Sequence, residues 1–533
     1  MRKRETIAVA CIALIAACLP LFTVNCIGGH DLIYHLLRIE SLKCGMENGL
    51  PFLRVNMLYF NGQGYASSLF YPDLFLYIPA FLRFAGLGIN ASYHIFTAFC
   101  MIAGFLSAYY CMNTVTKNKS AALIFAVMFT LFKYHIYDVY ERSAVGEFTA
   151  LIFVPFVIAG LYDLCFDEFK KPHLLVIGMS GVILTHTITA VMCTLLCLVV
   201  FITRIKSIFR EKKIIGNLLL CVLFVIFITE FYVFPMVEML FTTDFSLVSA
   251  SFDPNYEKLL LKDVFSFSDP SMGFVIFLPL LLRIFIKREK EDRILLFADI
   301  CMIFGLAACL CTTGFFPWKR LSAILYQVQF PWRLFVMAAP LIAFSGAVCI
   351  TEIVKKGVIK EKSAVFAVLS VMIFSALWSF ENVDTEYYSY SDDYFDYAPF
   401  TAEVIGGEWL PASVEDRDLL LETADAAFDD SGNTLPISRD KNRLTVTGIG
   451  RDASFVDVPF VFYKGYAAVD DQGKALTVDG KGRNGQARVY TKDSSSVTVY
   501  YKGTLIQHIS TAVTLVFFVA ALIVFLVGKK KKA

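Results

Sequence analysis

Apolar runs of close to twenty residues recur along most of this chain, and they leave it few folds to choose from. As a helix, such a run spans the roughly 30 Å of bilayer hydrocarbon, because each residue adds about 1.5 Å. Of the 533 residues, 57% are hydrophobic and only 18% charged, and the mean hydropathy is +0.61. Soluble domains rarely carry that balance, so a polytopic α-helical membrane protein is expected. The net charge of +1 gives no electrostatic basis for a nucleic-acid partner. Nearly all of the 14 cysteines lie inside apolar runs, Cys193, Cys197, Cys309 and Cys311 among them. That placement argues against a disulfide scaffold, and no Cys/His spacing reads as a zinc site.

Basic clusters set the expected topology. They fall at Arg2–Arg4, Lys117–Lys119, Lys170–Lys171, Arg204–Lys213, Lys287–Arg293, Lys355–Lys362 and Lys529–Lys532. All lie on the cytoplasmic side if spans run near 7–27, 92–112, 120–135, 147–165, 173–187, 188–204, 215–237, 272–287, 294–312, 333–350, 363–380 and 507–527. That gives about twelve crossings of the plasma membrane, with both termini cytoplasmic. The first run reads as an uncleaved anchor rather than a signal peptide. Residues 69–87 are apolar enough to cross, but a crossing there would invert the basic loops that follow. The loop 28–90 is therefore expected outside, as surface helices or a re-entrant hairpin.

The expected organisation is a transmembrane domain over 1–380, an extracytoplasmic β-rich domain over 381–506, and a closing span with a basic tail over 507–533. In the second part the apolar runs stop. Alternating stretches appear at Arg443–Val446, Phe455–Val461, Val489–Thr491 and Val497–Tyr501, divided by turn signals such as Asp470-Asp471-Gln472-Gly473 and Asp479-Gly480. A β-sandwich-like module follows from that pattern. The Tyr- and Asp-rich segment Thr385–Phe400 is expected to cover the mouth of the membrane domain.

With this topology the unusual polar groups gather on the outer face. Ionisable groups at membrane depth are costly and tend to line sites or paths. Asp31 sits one loop beyond the first span, and on a helix it would share a face with His35 and Arg38 at i, i+4 and i+7. It is the leading candidate for a base, with His30 beside it; a helix N-cap is the competing role. His35 and Arg38 suit phosphate, since a guanidinium presents a planar fork to its oxygens. The competing role for them is anchoring the helix among lipid headgroups. Glu141, Arg142 and Glu147 form a compact acid–base–acid set, open both to a site and to simple pairing or a favourable helix N-terminus. His186 lies between two short apolar runs, and Arg333 follows Phe330-Pro331-Trp332 at the mouth of a span. Each reads as a ligand contact or as a structural group.

Taken together, Gly29-His30-Asp31 with Tyr34-His35 and Arg38, Gly64-Tyr65, Phe70-Tyr71-Pro72, Glu141-Arg142 with Gly146-Glu147, His186, and Gln329-Phe330-Pro331-Trp332-Arg333 resemble the bacterial 6-pyruvoyl-tetrahydropterin synthase-related membrane proteins. These are similar to YfhO-like proteins and to the wider GT-C glycosyltransferase superfamily. The resemblance implies a GT-C-like membrane region and a sugar donor linked to polyprenyl phosphate, used on the outer face. Asp31 would be the catalytic acid of the first outer loop; Glu147, also a catalytic candidate, would with Glu141 support that site or contact the acceptor. Substrate contacts would come from His30, His35, Arg38, Tyr71, Glu141, Arg142, His186 and Arg333. No Asp-x-Asp stands in the first loop, so the divalent cation used by some members has no support here, and the cofactor stays open.

The function expected is therefore transfer of a sugar from a membrane-lipid donor to an envelope glycan acceptor. The alternative is a non-catalytic factor that binds lipid-linked glycans during envelope assembly. A transporter fits less well, because its charges belong near the midplane and on both sides of a path.

Overall fold

The computed structural model describes residues 1–50, 52–246, 253–289, 291–382, 387–388, 390, 407–491 and 493–530. Among the described residues, seven helices are long and apolar enough to cross a membrane: Ile89–Thr116, Val145–Phe166, Thr187–Lys206, Lys212–Thr242, Arg293–Cys311, Pro331–Lys355 and Glu361–Glu381. The pair Lys119–Leu131 and Lys133–Tyr140, bent by 44°, makes an eighth if it is one span. Three of the other expected positions carry shorter helices, Lys3–Ala17, Pro172–Ile183 and Val275–Phe285, and the last position carries the 26-residue helix Leu505–Lys530. Proline accounts for several of these limits. Pro20 follows the first helix within three residues, Pro172 opens another, and Pro279 interrupts the third. Leu74–Phe84 is likewise a short apolar helix; its length, about 16 Å, falls well below the hydrocarbon thickness.

The chain divides into two compact units. The first comprises Met1–Leu32, Ile89–Ile226 and Ala250–Tyr390. Its centre is the helix Phe335–Lys355, in which every residue from Phe335 to Thr351 is buried. A helix apolar on all sides needs neighbours on all sides. Gly305 of the helix Arg293–Cys311 lets that neighbour in closely, since a Cβ there would stand 2.7 Å from Ile342 Cγ1. Cys26–Ile27 pairs antiparallel with Tyr387–Tyr388. The remainder of the expected cover, Thr385–Phe400, lies outside the described residues apart from Tyr390.

The second unit comprises Ile33–Gly88, Phe227–Ser249 and Ser391–Ala533. It thus groups most of the loop 28–90 with the β-rich region. Two five-stranded antiparallel sheets form there. One runs Val478–Asp479, Gln486–Tyr490, Phe455–Val461, Ala427–Asp429, Thr434–Leu435; the other runs Ile437–Asp440, Arg443–Thr447, Ser496–Tyr501, Tyr466–Asp470, Ala475–Leu476. Alternation builds the core between them. Val456, Val458, Ala487 and Val489 from the first sheet meet Leu444, Val446, Val497 and Val499 from the second, all fully buried. The turn after Asp470 is closed by its own carboxylate, which accepts from the backbone N–H of Gln472 and Lys474. Leu444→Ala removes a fully enclosed side chain, so it should cost about 2–5 kcal/mol and lower the unfolding midpoint of the β region measured by calorimetry. The solvent-facing Arg439→Lys in the adjacent strand should lower it far less, although it gives up contacts to three backbone carbonyls.

Candidate functional site

The site of the first unit is built by a bend. Phe132 takes an extended conformation between the helices Lys119–Leu131 and Lys133–Tyr140. The second, eight-residue helix is wholly buried. Tyr134 and Asp138 stand at i and i+4, on one face, and Arg142 follows four residues later. A turn at Ser143, left-handed with φ +51°, leads into the helix that starts at Val145. Glu147 therefore falls in the first turn of that helix, where the backbone dipole favours a negative charge. Arg333 comes from the start of the span Pro331–Lys355. Pro331 holds the preceding Phe330 extended, and the Phe330 and Trp332 rings stack at 4.7 Å.

These segments meet at Glu147. Its Oε1 accepts from the Tyr134 hydroxyl at 2.6 Å and lies 3.0 Å from Arg142 Nη1, while Oε2 accepts from Arg333 Nε at 3.0 Å. Arg142 Nη1 also donates to Asp138 Oδ1 at 2.6 Å, and its guanidinium lies 4.9 Å from the centre of the Trp332 ring. Arg333 Nη1 donates to Gln329 Oε1 at 2.8 Å and to the Val328 carbonyl at 3.1 Å. Tyr134, Asp138, Arg142, Glu147 and Arg333 are all buried. His186 stands at the residue just before the helix Thr187–Arg210, with Nδ1 2.8 Å from Thr189 Oγ1, and interacts electrostatically with Glu147, Arg333 and Arg142.

Asp31 is brought to this cluster by its backbone. The His30 N–H donates to the Glu141 carbonyl at 3.0 Å, and the Asp31 N–H to the Arg142 carbonyl at 2.9 Å. The approach requires Gly29: a Cβ there would lie 2.6 Å from Ser143 Cβ, with Ser143 Oγ closer still. Asp31 itself precedes the helix Leu32–Glu47 rather than lying within it. Among the described residues its carboxylate has no hydrogen-bond or ion-pair partner. Burial raises its pKa above the usual aspartate value, and the charges of Arg142 and Arg333 pull against that shift. His30 is exposed, and Glu141 is half-buried and contributes its carbonyl to the docking.

Asp31, Arg142, Glu147, His186 and Arg333 thus share one network. His35, Arg38 and Tyr71 belong to a network in the second unit. There all three guanidinium nitrogens of Arg38 are engaged by the chain itself. It forms a buried ion pair with Asp73, donates to the carbonyls of Pro72 at 2.9 Å and Tyr71 at 3.3 Å, and places Nη1 3.1 Å from His35 Nδ1. Its guanidinium lies 4.2 Å from the Tyr71 ring centre. The expected single face of Asp31, His35 and Arg38 is therefore replaced by two separate sets. Tyr134, Asp138, Gln329 and Trp332 are members of the first network beyond the expected residues. The i, i+4, i+8 spacing of Tyr134, Asp138 and Arg142 is the sequence signal that marks two of them. No group of three or more His, Cys, Asp or Glu among the described residues is placed to hold a metal ion.

A family model described as 6-pyruvoyl-tetrahydropterin synthase related domain, membrane protein, matches residues 69–383. An uncharacterized protein of Lactococcus lactis subsp. cremoris (strain MG1363) is 25% identical over 326 residues, which are 57% of this chain and 53% of that protein. The chain therefore matches about half the length of that relative. Among solved structures, the arabinofuranosyltransferase AftD from Mycobacteria superposes with a TM-score of 0.43 at 15% identity, over 72% of this chain and 27% of AftD. The Archaeoglobus fulgidus oligosaccharyltransferase, in complex with Zn and sulfate, gives 0.38 at 12% identity, over 71% of this chain and 53% of its own.

The approach of Gly29 to Ser143 yields a direct test of the docking. Gly29→Ala should destabilise the purified protein by about 1–3 kcal/mol, the cost of overpacking a closed contact. Ser143→Gly removes the opposing side chain and suits the left-handed backbone there. The double variant should recover at least about 1 kcal/mol of the loss in a thermal-unfolding cycle. Additive losses would contradict the contact.

Proposed function

This chain belongs to the 6-pyruvoyl-tetrahydropterin synthase related family of membrane proteins, and on that premise we propose that it is a GT-C-type glycosyltransferase of the plasma membrane. It moves a sugar from a polyprenyl-phosphate donor to an envelope glycan acceptor on the outer face. One observation carries the reading: a carboxylate without a partner among the described residues, Asp31, stands beside two buried guanidiniums that Glu147 holds in place.

The roles follow from hydrogen-bonding capacity. A general base needs an acceptor lone pair aimed at the substrate proton. Glu147 already accepts from Tyr134 and Arg333 and is ion-paired with Arg142, so it acts as a positioning residue rather than as the second catalytic carboxylate. Asp31 has its acceptor capacity in hand. In the proposed step an acceptor hydroxyl passes its proton to Asp31, and its oxygen bonds to the anomeric carbon from the face opposite the phosphate. The bond from that carbon to the phosphate oxygen breaks, and its electron pair leaves with the lipid phosphate. Arg142 and Arg333 each have Nη2 donors not committed among the described residues. Such preorganised donors in a buried site stabilise the charge that develops on the leaving group. Arg38 and Tyr71 take no part in this step, since Arg38 serves Asp73 and neighbouring carbonyls.

The test is sugar release from radiolabelled polyprenyl-phosphate sugars by the protein in liposomes. Asp31→Asn should lower turnover by about 10²–10⁴-fold, the usual contribution of a general base, while leaving donor binding within a few fold. Because Asp31 works ionised and burial raises its pKa, the rate should fall as pH drops, with an acid limb above that of an exposed aspartate. Tight donor binding without consumption of any donor would replace this reading with the non-catalytic binding factor.

A further inference from the structure

In the second unit a cleft of about 500 Å³ opens between the helix Lys212–Thr242 and the last helix, which begins at Leu505. Phe234 and Val237 form one wall, Ile506 and Ile509 the other. Glu230, Glu238 and Lys464 also line it. On the first helix, residues 230, 234, 237 and 238 repeat at helical spacing, so one face carries both the apolar wall and the two acids.

The two acids differ. Glu238 is satisfied: Lys464 Nζ lies 2.9 Å from its Oε1, and the Thr504 hydroxyl donates to Oε2. Glu230 is 6% exposed, and its Oε1 is sealed with no hydrogen-bond partner. No ion pair or hydrogen bond reaches its carboxylate among the described residues. A buried carboxylate without a donor is expensive, and a ligand that supplies one is favoured by the same amount. Lys464, with 48% of its side chain exposed, has two ammonium hydrogens beyond the one on Glu238 and can meet an anion at the rim. The uncompensated charge of the cleft is therefore one negative, at Glu230, with a cation at its edge.

We propose that this cleft binds one aminophospholipid, its chain against the Phe234, Val237, Ile506 and Ile509 walls, its primary ammonium on Glu230 and its phosphate on Lys464. Charge complementarity selects the head. A choline head has no N–H to donate to Glu230. A phosphoglycerol head brings a second negative charge to an already negative site. An ethanolamine head supplies both the donor and the positive charge, and its phosphate suits the lysine. The chain walls are apolar, as a hydrocarbon tail requires.

The test uses the full chain in nanodiscs of mixed lipid, with retained lipid read by native mass spectrometry after transfer to detergent. Phosphatidylethanolamine should be retained about tenfold over phosphatidylcholine and phosphatidylglycerol, equivalent to a tenfold ratio of dissociation constants. Glu230→Gln should erase that preference, and Ile509→Trp, which fills the cleft from its apolar wall, should reduce retention of every lipid. The wild-type lipid ranking needs no variant, so it stands as a test even if a substitution impairs folding. Equal retention of the three lipids would overturn the proposal. So would a preference for phosphatidylethanolamine that survives Glu230→Gln in a protein with an unchanged unfolding midpoint, or displacement of the bound lipid by polyprenyl phosphate at equal concentration.

Discussion

The first unit depends on one buried carboxylate shared by two guanidiniums. Glu147 joins Tyr134, Arg142 and Arg333, residues that lie up to 199 positions apart in the chain. None of these charges could be buried alone. Desolvation costs each ion several kcal/mol, and removing one partner from such a set leaves the others uncompensated, at about 3–5 kcal/mol. The arrangement therefore constrains its surroundings more than it stabilises them. The bend at Phe132, the left-handed turn at Ser143 and the extended Phe330 before Pro331 are each needed to bring a side chain to the same point. Trp332 closes the cluster by laying its ring beside Arg142.

The second unit uses the same chemistry to a different end. Arg38 is buried against Asp73, but its remaining donors go to backbone carbonyls and to His35. A guanidinium engaged at all three of its nitrogens is a pin: it fixes the segment Tyr71–Asp73 against the helix Leu32–Glu47. Arg142 and Arg333 are held firmly on one side only. The difference between structural and available arginines is thus a count of donors, not of burial, since all three are buried.

Which parts of this were legible in the sequence follows from how local each signal is. Apolar runs and β alternation are local, and helices stand at all twelve expected span positions while strands include most of each expected stretch. Helix length is less legible, because it is decided by single residues such as Pro20 and by the break at Phe132, where no proline or glycine marks the bend. The placement of Asp31 beside a polar cluster was readable as an acid just beyond a span. Its partners were not. Helical spacing favoured His35 and Arg38, but the helix begins at Leu32, and Arg38 finds its carboxylate 35 residues away at Asp73. Nothing in the spacing of Glu147 and Arg333 announces a contact across 186 residues. Asp138 and Tyr134 carried a readable pattern, at i and i+4 before Arg142, that points to a shared face rather than to solvated loop residues.

The engagement of Glu147 has a consequence for Asp31. If the two arginines were unpaired, the nearest carboxylate would fall into an ion pair with them, and Asp31 would lose the acceptor capacity that a base requires. With Glu147 and Asp138 satisfying the inner side of Arg142, and Glu147 and Gln329 that of Arg333, the positive field reaches Asp31 without a direct bond. That field opposes the burial that raises its pKa, which holds the group closer to the ionised state it needs. The backbone docking of residues 30 and 31 onto residues 141 and 142 then sets position independently of side-chain pairing. Placement by backbone and charge by neighbouring arginines leave the carboxylate itself uncommitted, and Gly29 is the residue that makes the backbone part geometrically possible.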